Sequence, residues 1–363
     1  MLNERLEALR AGLTDRSVNA VLVTHPNNRF YLSGYTGEDD PPNESAGVLL
    51  ITQDRAFIFA PPNNVEWAAS EAQDFEAMAW RRPWEGSIAE RAQELGIERL
   101  GIEKEALPLA SFETLSQKLN GSLEFVAVDE TVSDLRAIKT PDEVQSLQRA
   151  LKLTDDVFVA CTGNLAPGIT ERELARNIER TMREMGADNL AFHTIVASGP
   201  HAARPHHQVT DRALSLGEPI VIDMGARVDG YNGDLTRTIW LGEPNSRLKD
   251  VYNMVLDAQQ AALDGIRAGM SGKDADRLAR AVVEDAGYGD YFSHGLGHGL
   301  GLRVHEAPSA SASATALLRA GEVLTVEPGI YIQGWGGVRL EDVVLIEEHG
   351  ARNMTTAPKH VRF

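Results

Sequence analysis

The 363-residue sequence predicts a two-domain protein: an α/β N-terminal domain, then an α+β C-terminal domain of helices and carboxylate-bearing hairpins. Three observations carry this. Short apolar strand-like runs alternate with helical ones through the first third of the chain. A break follows near Val128–Thr140, where Thr140-Pro141-Asp142-Glu143 starts a new helix with a capping box and proline at its first position. Beyond that break, the order helix, helix, hairpin occurs twice. The length also exceeds one average domain.

Taken in order, helices are expected near Asn3–Leu13, Asn63–Gln73, Ile88–Leu95 and Leu109–Leu119, between strands Asn19–Thr24, Gly47–Thr52, Ala56–Ala60 and Arg99–Glu103. The turn-rich run Gly34–Asn43 reads as an exposed loop. Residues 1–131 form the first domain on this reading and 132–363 the second. The helix that begins the second domain runs to about Thr162. Thr170-Glu-Arg-Glu173 repeats the capping-box signal and starts a helix through Glu184. Strand Phe192–Ala197 follows, then a loop, then strand Pro219–Ala226 hairpinned to Asn232–Leu241. Helices Leu248–Ala268 and Lys273–Ala286 lead to a glycine–histidine stretch, and Gly321–Ile332 is hairpinned to Gly337–Glu347. The repeated order reads as an internal duplication with a site between the halves.

Composition narrows the function. Acidic residues outnumber basic ones 53 to 35, a net charge of −18, so the surface repels phosphate backbones and anionic lipid. Nucleic acid and membrane partners are not expected. No segment has the length of apolar run that spans a bilayer, and the N-terminus reads as an amphipathic helix without a signal-peptide core. A cytoplasmic enzyme is the expectation. The single cysteine, Cys161, excludes an intrachain disulfide or a cysteine zinc cluster, and its apolar helical setting reads as an inert thiol. A Walker loop, a Gly-x-Ser-x-Gly elbow and a His-Glu-x-x-His zinc motif are all missing.

Five residues stand out as metal ligands. Asp223 lies in Pro-Ile-Val-Ile-Asp-Met-Gly-Ala, and Asp234 follows across a turn at Asp229-Gly230. Glu327 and Glu341 flank a second turn, Gly334-Trp-Gly-Gly. A lone Asp or Glu is normally a solvated surface charge. Here, however, three of the four sit in apolar strand runs, where an unpaired carboxylate costs several kcal/mol. Arg237 and Arg339 can neutralise only part of that charge. One or two divalent cations, with His298 from His294-Gly-Leu-Gly-His298, close the balance. Oxygen ligands with one imidazole suit manganese, cobalt or zinc. His193, His201 and His207 read as ordinary loop residues.

These residues carry a resemblance. Asp223-Met-Gly-Ala, Tyr231-Asn-Gly-Asp234-Leu-Thr-Arg-Thr, Gly297-His298-Gly-Leu-Gly-Leu, Val304-His305-Glu-Ala-Pro, Thr325-Val-Glu327-Pro-Gly and Arg339-Leu-Glu341-Asp resemble, in order, the motifs of the pita-bread metallopeptidases. That superfamily includes prolidase, aminopeptidase P, methionine aminopeptidase and creatinase. The likeness is strong from about Leu135 onward and covers the N-terminal domain in outline, through Asn28-Arg-Phe-Tyr-Leu-Ser-Gly. It implies a pita-bread catalytic domain behind a creatinase-like one, and a homodimer. It implies two ions, one held by Asp223, both shared by Asp234 and Glu341, the second completed by His298 and Glu327. Glu327 would also shuttle a proton, and His206 and His305 would stabilise the oxyanion. His294, Arg339 and Tyr231 would lie around the substrate or behind the ligands.

The short Glu327–Glu341 interval and the full N-terminal domain resemble the Xaa-Pro branch, whose substrates are Xaa-Pro dipeptides or peptides with proline second. Many prolidases carry an arginine just after the His-Glu-x-Pro string, on the dipeptide's free carboxylate. Ser309 stands there in this chain, which tilts the reading toward an aminopeptidase P and leaves prolidase as the alternative. A non-catalytic peptide-binding relative and a creatinase-type enzyme are the more distant alternatives.

Overall fold

The computed structural model describes residues 2–39 and 44–359, which divide into two compact units, Met1–Arg136 and Ala137–Phe363. The first unit is a six-stranded mixed sheet flanked by helices. Its elements are α1 (Leu2–Asp15), β1 (Ala20–Val23), α2 (Pro26–Ser33), β2 (Val48–Thr52), β3 (Ala56–Ala60), α3 (Val65–Glu71), β4 (Glu76–Ala79), α4 (Trp84–Glu94), β5 (Arg99–Ile102), α5 (Leu109–Leu119), β6 (Glu124–Ala127) and α6 (Asp129–Ala137). Strand order is β4-β3-β2-β1-β5-β6. The four strands expected from sequence are the central, buried ones. β4 and β6 are the edges, and their exposed ends break the apolar run that marks a strand.

Two expectations change here. Within Gly34–Asn43, residues 40–43 lie outside the described residues, but Tyr35 is buried and Arg29, itself buried, holds Gly37 O and pairs with Asp39 at 2.9 Å. That stretch is anchored rather than loose. The division also falls at Arg136/Ala137 instead of 131/132. Helix α6 binds its own unit, with Tyr31 donating to Leu135 O and Arg136 to Asn28, whereas Lys139 N donates to Gly321 O in the second unit.

The second unit begins with α7 (Pro141–Thr162) and α8 (Glu171–Glu184), both opened by complete capping boxes, Thr140/Glu143 and Thr170/Glu173. Next come β7 (Asn189–Leu190), β8 (Ile195–Ser198), β9 (Ile220–Met224), β10 (Ala226–Val228), β11 (Tyr231–Asn232) and β12 (Leu235–Ile239). The second half has α9 (Ser246–Gly265), α10 (Gly272–Asp285), β13 (Gly297–Gly299), β14 (Glu306–Ala310), β15 (Val323–Val326), β16 (Gly329–Ile332), β17 (Gly336–Arg339), β18 (Asp342–Glu347) and β19 (Gly350–Asn353). Apolar faces of α7 and α8 pack on β8, β9 and β12, while those of α9 and α10 pack on β15 to β18. Each helix pair therefore covers its own hairpin.

Both hairpins are split, which apolar periodicity did not indicate. β9 pairs antiparallel with β12 and then, past Gly225, the chain continues as β10 paired with β11. Likewise β15 pairs with β18, and past Glu327-Pro328 the chain continues as β16 paired with β17. Asp234, Glu327 and Glu341 lie at these breaks, and Asp223 lies one residue from the end of β9. Gly225, Gly233 and Pro328-Gly329 mark these breaks, but apolar residues resume on either side, so each pair of strands reads as one from periodicity. The first turn is Asp229-Gly230, both with positive φ (51° and 80°), the backbone of a tight hairpin.

Candidate metal centre and cleft

The breaks bring four carboxylates and one imidazole together at the floor of a cleft of about 1220 Å³. Ligand atoms of Asp234, His298 and Glu341 all lie within 4.8 Å of one another. His298 Nε2 is 3.2 Å from Glu327 Oε1 and 4.0 Å from Asp234 Oδ2. Asp223 joins from β9, and all five line the cleft. His298 is delivered by β13, a strand threaded between β14 and β15. A Cβ on Gly297 would collide with Thr325 O, and one on Gly299 with Ala307 O, so these glycines permit the close approach.

Neighbouring groups orient the ligands. Thr325 Oγ1 accepts from His298 N at 3.0 Å and donates to Glu327 Oε1 at 3.1 Å. Thr236 Oγ1 donates to Glu341 Oε2 at 2.7 Å. His298 Nδ1 lies 3.1 Å from Gly299 O, which makes Nδ1 the protonated nitrogen and turns Nε2 to the carboxylates. Arg339 is buried, pairs with Asp223, lies 4.0 Å from Glu327 Oε2 and donates to the Tyr331 hydroxyl at 2.8 Å.

The electrostatics test whether a cation fits. Burial, reinforced by Glu341 and Asp223, drives the Asp234 carboxyl well above its ordinary range. Burial with Glu327 and Asp223 pushes Glu341 up to about 8. Asp223 is also raised by burial, which outweighs its pairing with Arg339. Burial alone would raise Glu327 and lower His298, but their mutual hydrogen bond and charge pull Glu327 down to about 2 and His298 up to about 9. The protein's own cations thus settle one carboxylate of the four fully. Asp223 Oδ1 and Glu341 Oε1 are buried with no hydrogen-bond donor. Buried acceptors left this way cost several kcal/mol, and a divalent cation is the partner this donor set suits.

Of the other residues expected at the site, His206, His294 and His305 line the cleft with Arg339. The His305 ring stands edge-on to His298 at 4.3 Å, and burial with the neighbouring His298 charge lowers its pKa. His294 Nε2 is 3.0 Å from Tyr331 Oη. Tyr231 is placed differently. It does not line the cleft, because its hydroxyl turns away to donate to Glu143 Oε1 at 2.9 Å under the start of α7. Ser309 does line the cleft. Cys161 is half-buried against the α7–α8 core, and burial raises its thiol pKa, as expected of an inert cysteine.

Sequence reasoning missed Tyr331, which joins His294 to Arg339 and whose hydroxyl burial pushes up to about 12. Nothing in an apolar strand run distinguishes it. His201 and His207 are not ordinary loop residues either, since both contact the buried carboxylate of Glu171 at 3.0 Å. Their signal was hidden because Glu171 sits inside a capping-box motif, where acidic residues are expected anyway.

Residues 145–348 match the model of metallopeptidase family M24, and residues 5–138 match the creatinase/prolidase N-terminal domain. The chain is 36% identical to a Xaa-Pro dipeptidase of Pyrococcus furiosus, over 99% of this chain and 100% of that one. A solved Xaa-Pro dipeptidase from Bacillus anthracis superposes with a TM-score of 0.94 at 36% identity, covering 99% of both chains. An X-Pro aminopeptidase from Thermotoga maritima superposes with a TM-score of 0.89 at 33% identity, covering 98% of both.

Proposed function

The chain belongs to metallopeptidase family M24, and on that premise we propose that it is a dinuclear metal-dependent Xaa-Pro dipeptidase, a prolidase. The observation that carries the metal chemistry is the buried carboxylate cluster with two acceptors lacking donors. For the substrate, the names of the relatives support a dipeptide over the longer peptides toward which Ser309 tilts the sequence. Asp223, Asp234, His298, Glu327 and Glu341 would hold two divalent ions, manganese, cobalt or zinc. Bound there, the ions would lower the pKa of water and polarise the carbonyl preceding proline.

The chain's own groups do the rest. Glu327 takes the proton of the attacking water and returns it to the leaving proline nitrogen. That nitrogen belongs to a tertiary amide with no N–H, so no N–H grip is needed. His305, exposed to the cleft beside His298, donates N–H toward the oxygen as it gains charge, and His206 assists from its own loop. Arg339 and Tyr331 fix Asp223, and His294 lines the proline side. Homodimerisation and a cytoplasmic setting belong to the same proposal; among the described residues no helix is long and apolar enough to cross a membrane.

A second reading, removal of the first residue from longer peptides with proline second, draws on Ser309 in the cleft wall and on a cleft roomier than a dipeptide fills. Hydrolysis of Ala-Pro against Ala-Pro-Ala by metal-reloaded enzyme separates the two. Preference for Ala-Pro upholds the dipeptidase. Preference for Ala-Pro-Ala replaces it with an aminopeptidase P.

A further inference from the structure

We infer that Glu171, at the first position of α8, is a positioning residue that clamps both ends of the loop presenting His206 to the cleft. The inference rests on the reading of His206 as a group that acts on the substrate. One carboxylate gathers six donors. Oε1 accepts from Ser198 N at 2.9 Å, Ser198 Oγ at 2.7 Å and His201 Nδ1 at 3.0 Å. Oε2 accepts from His207 Nε2 at 3.0 Å, Thr210 N at 3.1 Å and Thr210 Oγ1 at 2.7 Å. The first three precede His206 in the chain and the last three follow it. Only a span of a few residues bows away between them, and it carries Pro205 and His206 into the cleft wall.

The cluster has the composition of a metal site, but the geometry points elsewhere. A carboxylate offers about four lone-pair sites, and this one is saturated by protein donors. Facing an ionised carboxylate, which only accepts, His201 Nδ1 and His207 Nε2 each point a hydrogen at it, so neither nitrogen has a lone pair free for an ion. The His201 and His207 rings pack against each other, tilted by 32° with centroids 4.4 Å apart. Arg212 donates to Ser198 Oγ at 2.6 Å, turning that hydroxyl's own hydrogen toward Glu171. On the cleft side the loop is held more loosely, by Arg339 to Pro205 O at 3.4 Å and Gln333 to Ala203 O at 3.5 Å. The loop's own turns, Arg204 N to His201 O at 3.0 Å and His207 N to Arg204 O at 3.2 Å, brace it as well, and Glu171 ties its two ends to each other; a shift of about 1 Å in a catalytic group can cost on the order of 100-fold in rate.

The test is a cycle of wild type, Glu171→Gln, His206→Ala and the double variant, each loaded with metal to the same measured content and assayed for kcat and KM on Ala-Pro. The inference requires Glu171→Gln to lower kcat by roughly 10- to 100-fold with a smaller change in KM. It also requires no further loss when His206 is already alanine. Losses that multiply, or an unchanged kcat in Glu171→Gln, would reduce Glu171 to a brace for the fold and overturn the inference. An unchanged kcat in His206→Ala would overturn it as well, by removing the role of His206, while leaving metal-dependent turnover as the separate measure of the proposed activity. If Glu171→Gln loses its cooperative melt, Thr210→Val and His207→Phe, which each remove a single side-chain donor, enter the same cycle with the same expectation.

Discussion

The two hairpins of the catalytic unit have one construction and different carboxylates. In the first, Asp223 sits within a strand and Asp234 at the break before β12; in the second, Glu327 and Glu341 occupy both breaks. The glutamates are each held by a threonine hydroxyl, Thr325 on Glu327 and Thr236 on Glu341, whereas Asp223 is held by the Arg339 guanidinium. Each half also lends the other an arginine. Arg339 crosses to Asp223 and Thr236, whereas Arg237 crosses to Glu341 O and Asp342. The exchange is unequal in kind: Arg339 touches the Asp223 carboxylate, but Arg237 touches the Glu341 backbone and its neighbour Asp342. Arg237 also holds Ala357 O and Pro358 O, tying down the chain after β19.

That difference can be broken outright at Glu327. Glu327→Ala is expected to lose bound metal and turnover together, by more than roughly 100-fold, since even outer partners of metal ligands are worth about 10- to 100-fold. Metal analysis alongside the assay checks this, and an active variant would remove the hairpin break from the site. Next in size are the arginines. Arg339→Met leaves Asp223 buried without its cation and should cost about 3–5 kcal/mol in the metal-stripped protein, with kcat falling as well after reloading. Arg237→Met should cost less stability, read by denaturant unfolding, because Lys359 still neutralises Asp342 and what is lost is the donor to Glu341 O and Ala357 O, and it should retain turnover per bound metal. Equal effects of both on kcat would erase the distinction between the halves.

How much of this was legible follows from the same residues. Asp223, Glu327 and Glu341 announced themselves because ionisable groups inside apolar runs need a counter-charge, and His298 because alternating glycines flank it. The breaks that place them were not read, since apolar residues continue on both sides of Glu327-Pro328 and Leu340-Glu341 and the Pro328-Gly329 signal was passed over. Tyr231, expected around the substrate or behind the ligands, lies off the cleft with its hydroxyl donating to Glu143, a contact only the fold shows. In the first unit, the central strands were readable from their apolar runs, while α2 was hidden by its buried Asn28, Arg29 and Ser33.

Smaller effects sharpen the comparison further. Thr325→Val is expected to weaken metal binding by about 10-fold or more, because it frees both His298 N and Glu327 Oε1 from one hydroxyl. Thr236→Val should weaken it by a similar factor, because that hydroxyl also serves two groups, donating to Glu341 Oε2 and accepting from Arg339 Nε. Competitive chelator titrations give both values. Finally, burial would raise the Glu171 carboxyl, but its donors Thr210, His207 and Ser198 hold it at about 2, against an ordinary 4.5. A depressed acid stabilises the fold above its unfolded pKa, and that contribution is lost as pH falls from about 4.5 towards 2. Unfolding curves of Glu171→Gln should therefore show a shallower loss of stability than wild type across that window.

The account turns on whether the carboxylate cluster is a metal centre that works as a pair of ions. The direct measurement is Ala-Pro turnover by stripped enzyme during stepwise addition of manganese, cobalt or zinc, with bound metal counted per chain. Turnover that is nil in the stripped protein and reaches its plateau as binding reaches two ions per chain is the predicted result. Full turnover without metal, or two ions bound with no cleavage of Ala-Pro or Ala-Pro-Ala, would contradict it.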